Sequence, residues 1–235
     1  MHQAELFLIG GGRDEEAIVA AHAGLAPALG GGALLCLVAD DGEGIDAGRW
    51  RGMLADAGVV DVELLRIAED RVPTASDLDG IDGLYVAGGL TPLYARLLQP
   101  LRVALPPGIV YAGYSAGAAI AAERALVGGW VLDGHAVCPE EAAEDLDEVT
   151  VTLGLGLVPF AVEVHATQWG TLGRAIAAVR SGLVAEAWAV DENTGLHLAG
   201  GRVSEVRGTG QCHRVVRSGQ GVLVEAWPAG LPVEL

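Results

Sequence analysis

Residues 108–122 read Gly-Ile-Val-Tyr-Ala-Gly-Tyr-Ser-Ala-Gly-Ala-Ala-Ile-Ala-Ala, an apolar strand running straight into Gly113-x-Ser115-x-Gly117 and then a helix. A serine on so tight a strand-to-helix turn pushes its hydroxyl clear of the backbone, and the glycines two residues to either side stand where side chains would collide with neighbouring elements. The first amides of the following helix have no partner within it, so the Ala116 N–H is placed to hold a developing oxyanion. Ser115 is therefore a candidate nucleophile.

Outward from this turn, the first half of the chain repeats the same grammar. Strands are expected at Leu6–Ile9, Ala33–Val38, Val62–Leu65, Leu84–Ala87 and Ile109–Ala112, with Ala/Leu-rich helices at 15–28, 47–57, 92–99 and 116–122 between them. Runs that are apolar at successive positions suit strands covered on both faces. The expected fold class is therefore α/β, a three-layer α/β/α sandwich around a mainly parallel sheet. Ligands in such sheets bind beyond the carboxyl ends of the strands, where Ser115 falls. A further strand, Ala161–Val164, ends at His165 and precedes a helix near 172–181. From about 185 to 235, short alternating runs separated by Gly200-Gly201, Gly208-Thr-Gly210 and Gly219-Gln-Gly221 predict antiparallel hairpins that extend the sheet or form a small satellite.

Composition narrows the function classes. A chain of 235 residues suits one domain with its own core. No apolar run reaches the roughly 18 residues of a membrane span, and the Met1–Glu5 start lacks a signal-peptide pattern. A cytoplasmic protein is expected, with no membrane partner. The net charge of −17 excludes nucleic acid, whose phosphates need a basic footprint. It also means that an acidic substrate would need a local cation. Cys36, Cys138 and Cys212 form no C-x-x-C pair, which argues against a disulfide framework or a structural zinc site. Gly10-Gly11-Gly12 reads as a plain turn rather than a phosphate loop, because Asp14, Glu15 and Glu16 follow it. The acidic stretch Glu140, Glu141, Glu144, Asp145, Asp147 and Glu148 lacks calcium-loop spacing and reads as a solvated helix face.

A nucleophilic serine needs a base and a group to orient that base. Among the six histidines, His2 is terminal, His22 lies in a predicted helix, His135 in a loop, and His197 and His213 in hairpin runs. His165 alone ends a strand at the active edge.

Taken together, the Gly-Gly-Gly turn, the strand end Gly-Leu-Tyr-Val-Ala-Gly88-Gly89, Gly-Tyr-Ser115-Ala-Gly-Ala, Glu163-Val-His165 with Gly173-Arg174, and Asp191-Glu192-Asn193-Thr194 resemble the cyanophycinase and peptidase E (aspartyl dipeptidase) family of serine peptidases over residues 5–216. The resemblance implies a class-I glutamine-amidotransferase-like fold and a Ser115–His165–Glu192 triad. It also implies an oxyanion hole from the Gly89 and Ala116 amides, and no metal or organic cofactor. In the peptidase E branch the acid lies about fifteen residues after the serine; Trp130 occupies that position here, and Asp133 is the nearest acid and the alternative orienter. Leu90-Thr91 stands where the family has two polar residues, leaving Thr91 as the substrate-facing one. Trp169 and Thr171 replace two substrate-binding arginines, so Arg174 is the one expected to grip a substrate carboxylate, with Trp169 as an apolar wall.

The expected function is a serine exopeptidase, dipeptidase or carboxypeptidase, acting on small peptides but not on cyanophycin, and working as a homo-oligomer, a dimer or larger. Two alternatives stay open: an esterase-like α/β-hydrolase with His197 or His213 as base, and an inactive binding protein on the same fold.

Overall fold

Strand and helix alternate in chain order through the first half of the computed structural model, which describes residues 5–233 and so leaves His2 outside. The elements are β1 (Leu6–Ile9), α1 (Glu15–Ala21), α2 (Leu25–Leu29), β2 (Leu34–Ala39), α3 (Ala47–Asp56), β3 (Val62–Ile67), β4 (Gly83–Val86), α4 (Thr91–Leu97), β5 (Val110–Tyr114) and α5 (Ala116–Ala119). The helix expected over 15–28 is two helices. Gly24 adopts φ 90° between them, a left-handed turn that ends one helix and starts the next.

The second half supplies β6 (Arg124–Gly128), β7 (Val131–Leu132), β8 (His135–Ala136), β9 (Thr150–Leu153), β10 (Ala161–Val164), α6 (Leu172–Ser181), β11 (Glu186–Val190), β12 (Thr194–Ala199), β13 (Arg202–Gly208), β14 (Gln211–Ser218) and β15 (Gly221–Pro228). The main sheet has the order β13-β12-β1-β5-β4-β2-β3. Its five strands from β1 to β3 are parallel; β12 runs antiparallel to β1, and β13 reverses again against β12. Apolar runs explain the parallel centre: β1 and β4 are buried at every residue, which requires cover on both faces.

Aromatic side chains mark the two faces. On one, Tyr85 and Tyr114 meet His22 and Trp50, packing the sheet against the α1 and α3 region. On the other, the Tyr111 hydroxyl donates to the Gly117 carbonyl of α5 at 2.6 Å. The predicted C-terminal hairpins divide between two sheets, so they both extend the main sheet and build a second one. That second sheet has the order β10-β11-β14-β15, with β10 parallel to β11 and the remaining pairings antiparallel. A smaller apolar cluster, including Ala175, Ala178 and Val179 of α6 with Ala187, Ala189 and Val215, packs against it.

Candidate active site

Two close approaches explain the glycines around Ser115. A Cβ on Gly113 would stand 2.4 Å from the Gly117 backbone, and one on Gly117 would stand 2.0 Å from the Val86 carbonyl oxygen. No larger residue fits at either place. Ser115 itself takes φ 51°, ψ −112°, an unfavourable conformation for a residue with a Cβ. The surrounding structure holds it there: its N–H donates to the Ile9 carbonyl at 2.8 Å, while β5 feeds in from one side and α5 leaves on the other. The Ala116 and Gly89 amides have no acceptor among the described residues.

His165 arrives from the end of β10. Its N–H donates to the Gly10 carbonyl at 3.0 Å, and at φ 56° the chain turns sharply back. Ser115 Oγ lies 2.8 Å from His165 Nε2, and His165 Nδ1 lies 2.7 Å from Glu192 Oε1. If Nδ1 carries the proton and donates to Glu192, Nε2 is left as an acceptor for the serine hydroxyl. Burial pushes the imidazole below the ordinary histidine pKa, while the Glu192 carboxylate pulls it back up.

Two contacts and a tied loop fix the ring. Trp169 stacks on it with centroids 3.9 Å apart and planes 9° from parallel. Gly11 also lies against the ring, where a Cβ would come within 2.2 Å of Cε1. The loop after His165 is tied to the Glu192 segment: Gln168 Oε1 accepts from the Glu192 N–H at 2.9 Å, and Asp191 Oδ1 accepts from the Thr167 N–H and hydroxyl at 3.1 and 2.8 Å. Ser115, His165, Trp169 and Glu192 all border one cavity of about 890 Å³ at the carboxyl end of the parallel strands.

The model of peptidase family S51 matches residues 47–206. The chain belongs to peptidase family S51. It is accordingly a serine-type peptidase. No curated protein matches it. Among solved structures it is similar to a protein of Listeria monocytogenes EGD-e provisionally assigned as a peptidase E, at 17% identity and a TM-score of 0.49, with 95% of this chain and 98% of that one covered.

Not every residue expected at the site of this S51 peptidase reaches it. Arg174 is buried at 3% exposure, and its donors are engaged elsewhere. Its Nε and Nη2 donate to Glu163 Oε2 and Oε1 at 2.7 and 2.9 Å, and its Nη1 donates to the Gly129 and Ala142 carbonyls at 3.0 and 2.7 Å. Burial opposes the guanidinium's charge, yet Glu163 more than offsets this and raises its pKa above the ordinary arginine value. Four of the five guanidinium N–H groups are thus taken and the side chain is buried, so no fork is presented to a substrate carboxylate, which corrects the expectation.

Thr91 is also displaced: its side chain is buried at the first turn of α4 and its N–H donates to Glu144 Oε2 at 2.9 Å, so Leu90 rather than Thr91 lines the cavity. Asp133 occupies the exposed turn between β7 and β8 and makes no bond to His165. The other described histidines have different surroundings. His197 meets Glu5 and Ser204, each at 3.0 Å, while His22 is buried against Ile18 and Tyr85, with desolvation holding its pKa to about 4. His213 lies 3.6 Å from Asp191, outside hydrogen-bond reach.

The acidic stretch is not a solvated helix face. Only Glu140–Ala142 is helical, as a single 3-10 turn, and Glu140, Glu141, Glu144, Asp145 and Asp147 form one wall of the cavity. Glu144 and Asp145 take φ 57° and 60°, so the chain here turns too sharply to continue a helix. Burial raises the Glu144 carboxyl above the usual range, against the lowering influence of the Thr91 N–H. The spacing of these acids gave no sign of this, because Arg174 anchors the wall through the Ala142 carbonyl from a distant helix.

Proposed function

We propose that this S51 peptidase hydrolyses short peptides through a Ser115–His165–Glu192 triad. Ser115 Oγ attacks the scissile carbonyl while His165 Nε2 takes its proton, and the same nitrogen later protonates the departing amine. Glu192 orients the imidazole and stabilises the imidazolium as it forms. The Gly89 and Ala116 amides, free of other acceptors among the described residues, receive the oxyanion. Water then releases the acyl group with His165 acting again as base.

The observation that carries this reading is the unbroken line of hydrogen bonds at 2.8 and 2.7 Å from serine to imidazole to carboxylate, opening on a cavity. Cleavage near a peptide end fits the setting: a cavity of about 890 Å³, walled by residues 140–147, is of a size that holds a small ligand rather than a folded chain. The test is a panel of di- to hexapeptides with products identified by mass, run with wild type and Ser115→Ala. The expected outcome is release of terminal residues or dipeptides by wild type and a loss of several orders of magnitude in the variant. Retained turnover by Ser115→Ala would refute the assignment of the nucleophile, and internal cleavage of the longest peptides would refute exopeptidase action.

A further inference from the structure

With Arg174 closed off by Glu163, the cavity's own cations are Arg13 and Arg49, among the described residues. The chain contains no lysine, so arginine alone can provide a fixed positive charge. Every other charged side chain on the cavity wall, His165 aside, is acidic: Asp41, Glu140, Glu141, Glu144, Asp145, Asp147 and Glu192. Even so, neither arginine pairs with a carboxylate among the described residues.

Arg49 is held in place without being neutralised. Its guanidinium carbon lies 4.8 Å from the centre of the Trp50 ring and 5.9 Å from that of Tyr114. Its Nη2 donates to the Tyr114 hydroxyl at 3.4 Å, and that hydroxyl in turn donates to the Gly12 carbonyl. The rest of its donor fork meets no acceptor among the described residues. Tyr114 immediately precedes Ser115, so the cation and the nucleophile sit on neighbouring parts of one wall. A second cavity of about 570 Å³ continues past Gly12, Arg13, Arg49 and Tyr114.

We propose that Arg49, assisted by Arg13, is the carboxylate anchor of the substrate site. The proposal rests on the peptidase reading above and gives the carboxylate of a short peptide a partner on α3, in place of the buried Arg174 on α6. A planar fork pre-oriented on aromatic faces matches a carboxylate in two parallel hydrogen bonds, and it loses little freedom in making them. The acidic wall at 140–147 sharpens the choice, because a carboxylate is repelled there and a peptide's ammonium is not. The two charged walls therefore fix the direction in which a zwitterionic peptide lies.

The test compares three substrates of the same core sequence: a free acid, its C-terminal amide, and an amide carrying one aspartate side chain. For wild type, kcat/KM for at least one carboxylate-bearing peptide should exceed that for the plain amide, and which one does so identifies the carboxylate as terminal or side-chain. Arg49→Lys keeps the charge but loses the fork, and Arg49→Gln loses both. The preference for carboxylate should shrink about ten- to a hundredfold in Arg49→Gln and less in Arg49→Lys, through KM rather than kcat. Tyr114→Phe, which removes the hydroxyl but not the guanidinium, should retain the preference.

A binding arm is independent of turnover. Calorimetric titration of the carboxylate peptide into Ser115→Ala, and into Ser115→Ala with Arg49→Gln, should show the same ten- to hundredfold weakening. No carboxylate preference in wild type, an unchanged preference in both Arg49 variants, or equal binding in the two titrations would overturn the proposal. A wild type that binds these peptides through Arg49 but never cleaves them would refute the catalytic reading and leave the anchor standing.

Discussion

Strand β10 delivers two carboxylate pairings from positions two residues apart. Glu163 points to Arg174 inside the fold, with both side chains at most 4% exposed, and four of the five guanidinium N–H groups donate to protein oxygen. His165, at the strand's end, takes one carboxylate at Nδ1 and leaves Nε2 to the Ser115 hydroxyl beside a cavity. The first arrangement is shut inside the fold, and what it supports is the backbone at Gly129 and Ala142. The second leaves Nε2 with room for one more proton, which is the condition for acting as a base. Residue type alone does not separate an anchor from a structural post; the number of donors left over does.

The sharpest way to break this comparison is at Glu192. Glu192→Gln keeps the size of the side chain but cannot stabilise the imidazolium, so kcat should fall by up to about 10⁴, as when a triad acid becomes an amide elsewhere. Asp133→Asn, on its exposed turn, should leave kcat near wild type. Steady-state kinetics on one peptide reads both, and the reverse ranking would remove Glu192 from the triad.

On the other side of the comparison, Arg174→Met leaves Glu163 buried without its cation and should cost about 3–5 kcal/mol of stability in denaturant unfolding. Replacing both partners by methionine should recover much of that loss, since the remaining charge is gone too. The ratio of rates on carboxylate and amide peptides should not move with Arg174→Met. A selective loss on carboxylate peptides would return Arg174 to the substrate site.

Smaller shifts are expected in the pH profile. Protonation of His165 removes the base, so kcat/KM falls on the acid side, and burial places that limb below the ordinary histidine value of about 6.5. Glu192 raises the imidazole pKa, so Glu192→Gln should move the limb to lower pH even as the rate drops. Trp169→Ala uncovers one face of the ring and relieves the desolvation that lowers its pKa, so the limb should move to higher pH. Shifts of the same sign in the two variants would contradict the account of what tunes His165.

Much of the fold was legible because backbone requirements are local. Apolar runs marked β1, β2, β4 and β5, and the glycines at 113 and 117 marked the one turn where two backbones nearly touch. His165 could be picked out by its place at a strand end, whereas Glu192 came only through family resemblance, because a separation of 27 positions hides their contact. What was not legible depends on partners distant in sequence. Alternation announced β12 and β14 alike, but nothing in it assigned one to the main sheet and the other to the second. Arg174 looked free until Glu163, from a different element, occupied it. Arg49 carried no signal at all, being one arginine on a short helix until Trp50 and Tyr114 aimed it. Gly11 passed for an ordinary turn residue although its missing side chain is what lets the imidazole lie where it does.

The central claim, that Ser115 is a nucleophile activated by His165 and Glu192, is tested most directly by reaction with a fluorophosphonate followed by peptide mapping. The account predicts one phosphonyl group per chain, on Ser115, formed much more slowly in Glu192→Gln and absent in Ser115→Ala. A wild type that stays unlabelled, or a Ser115→Ala variant labelled as fast as wild type, would contradict it.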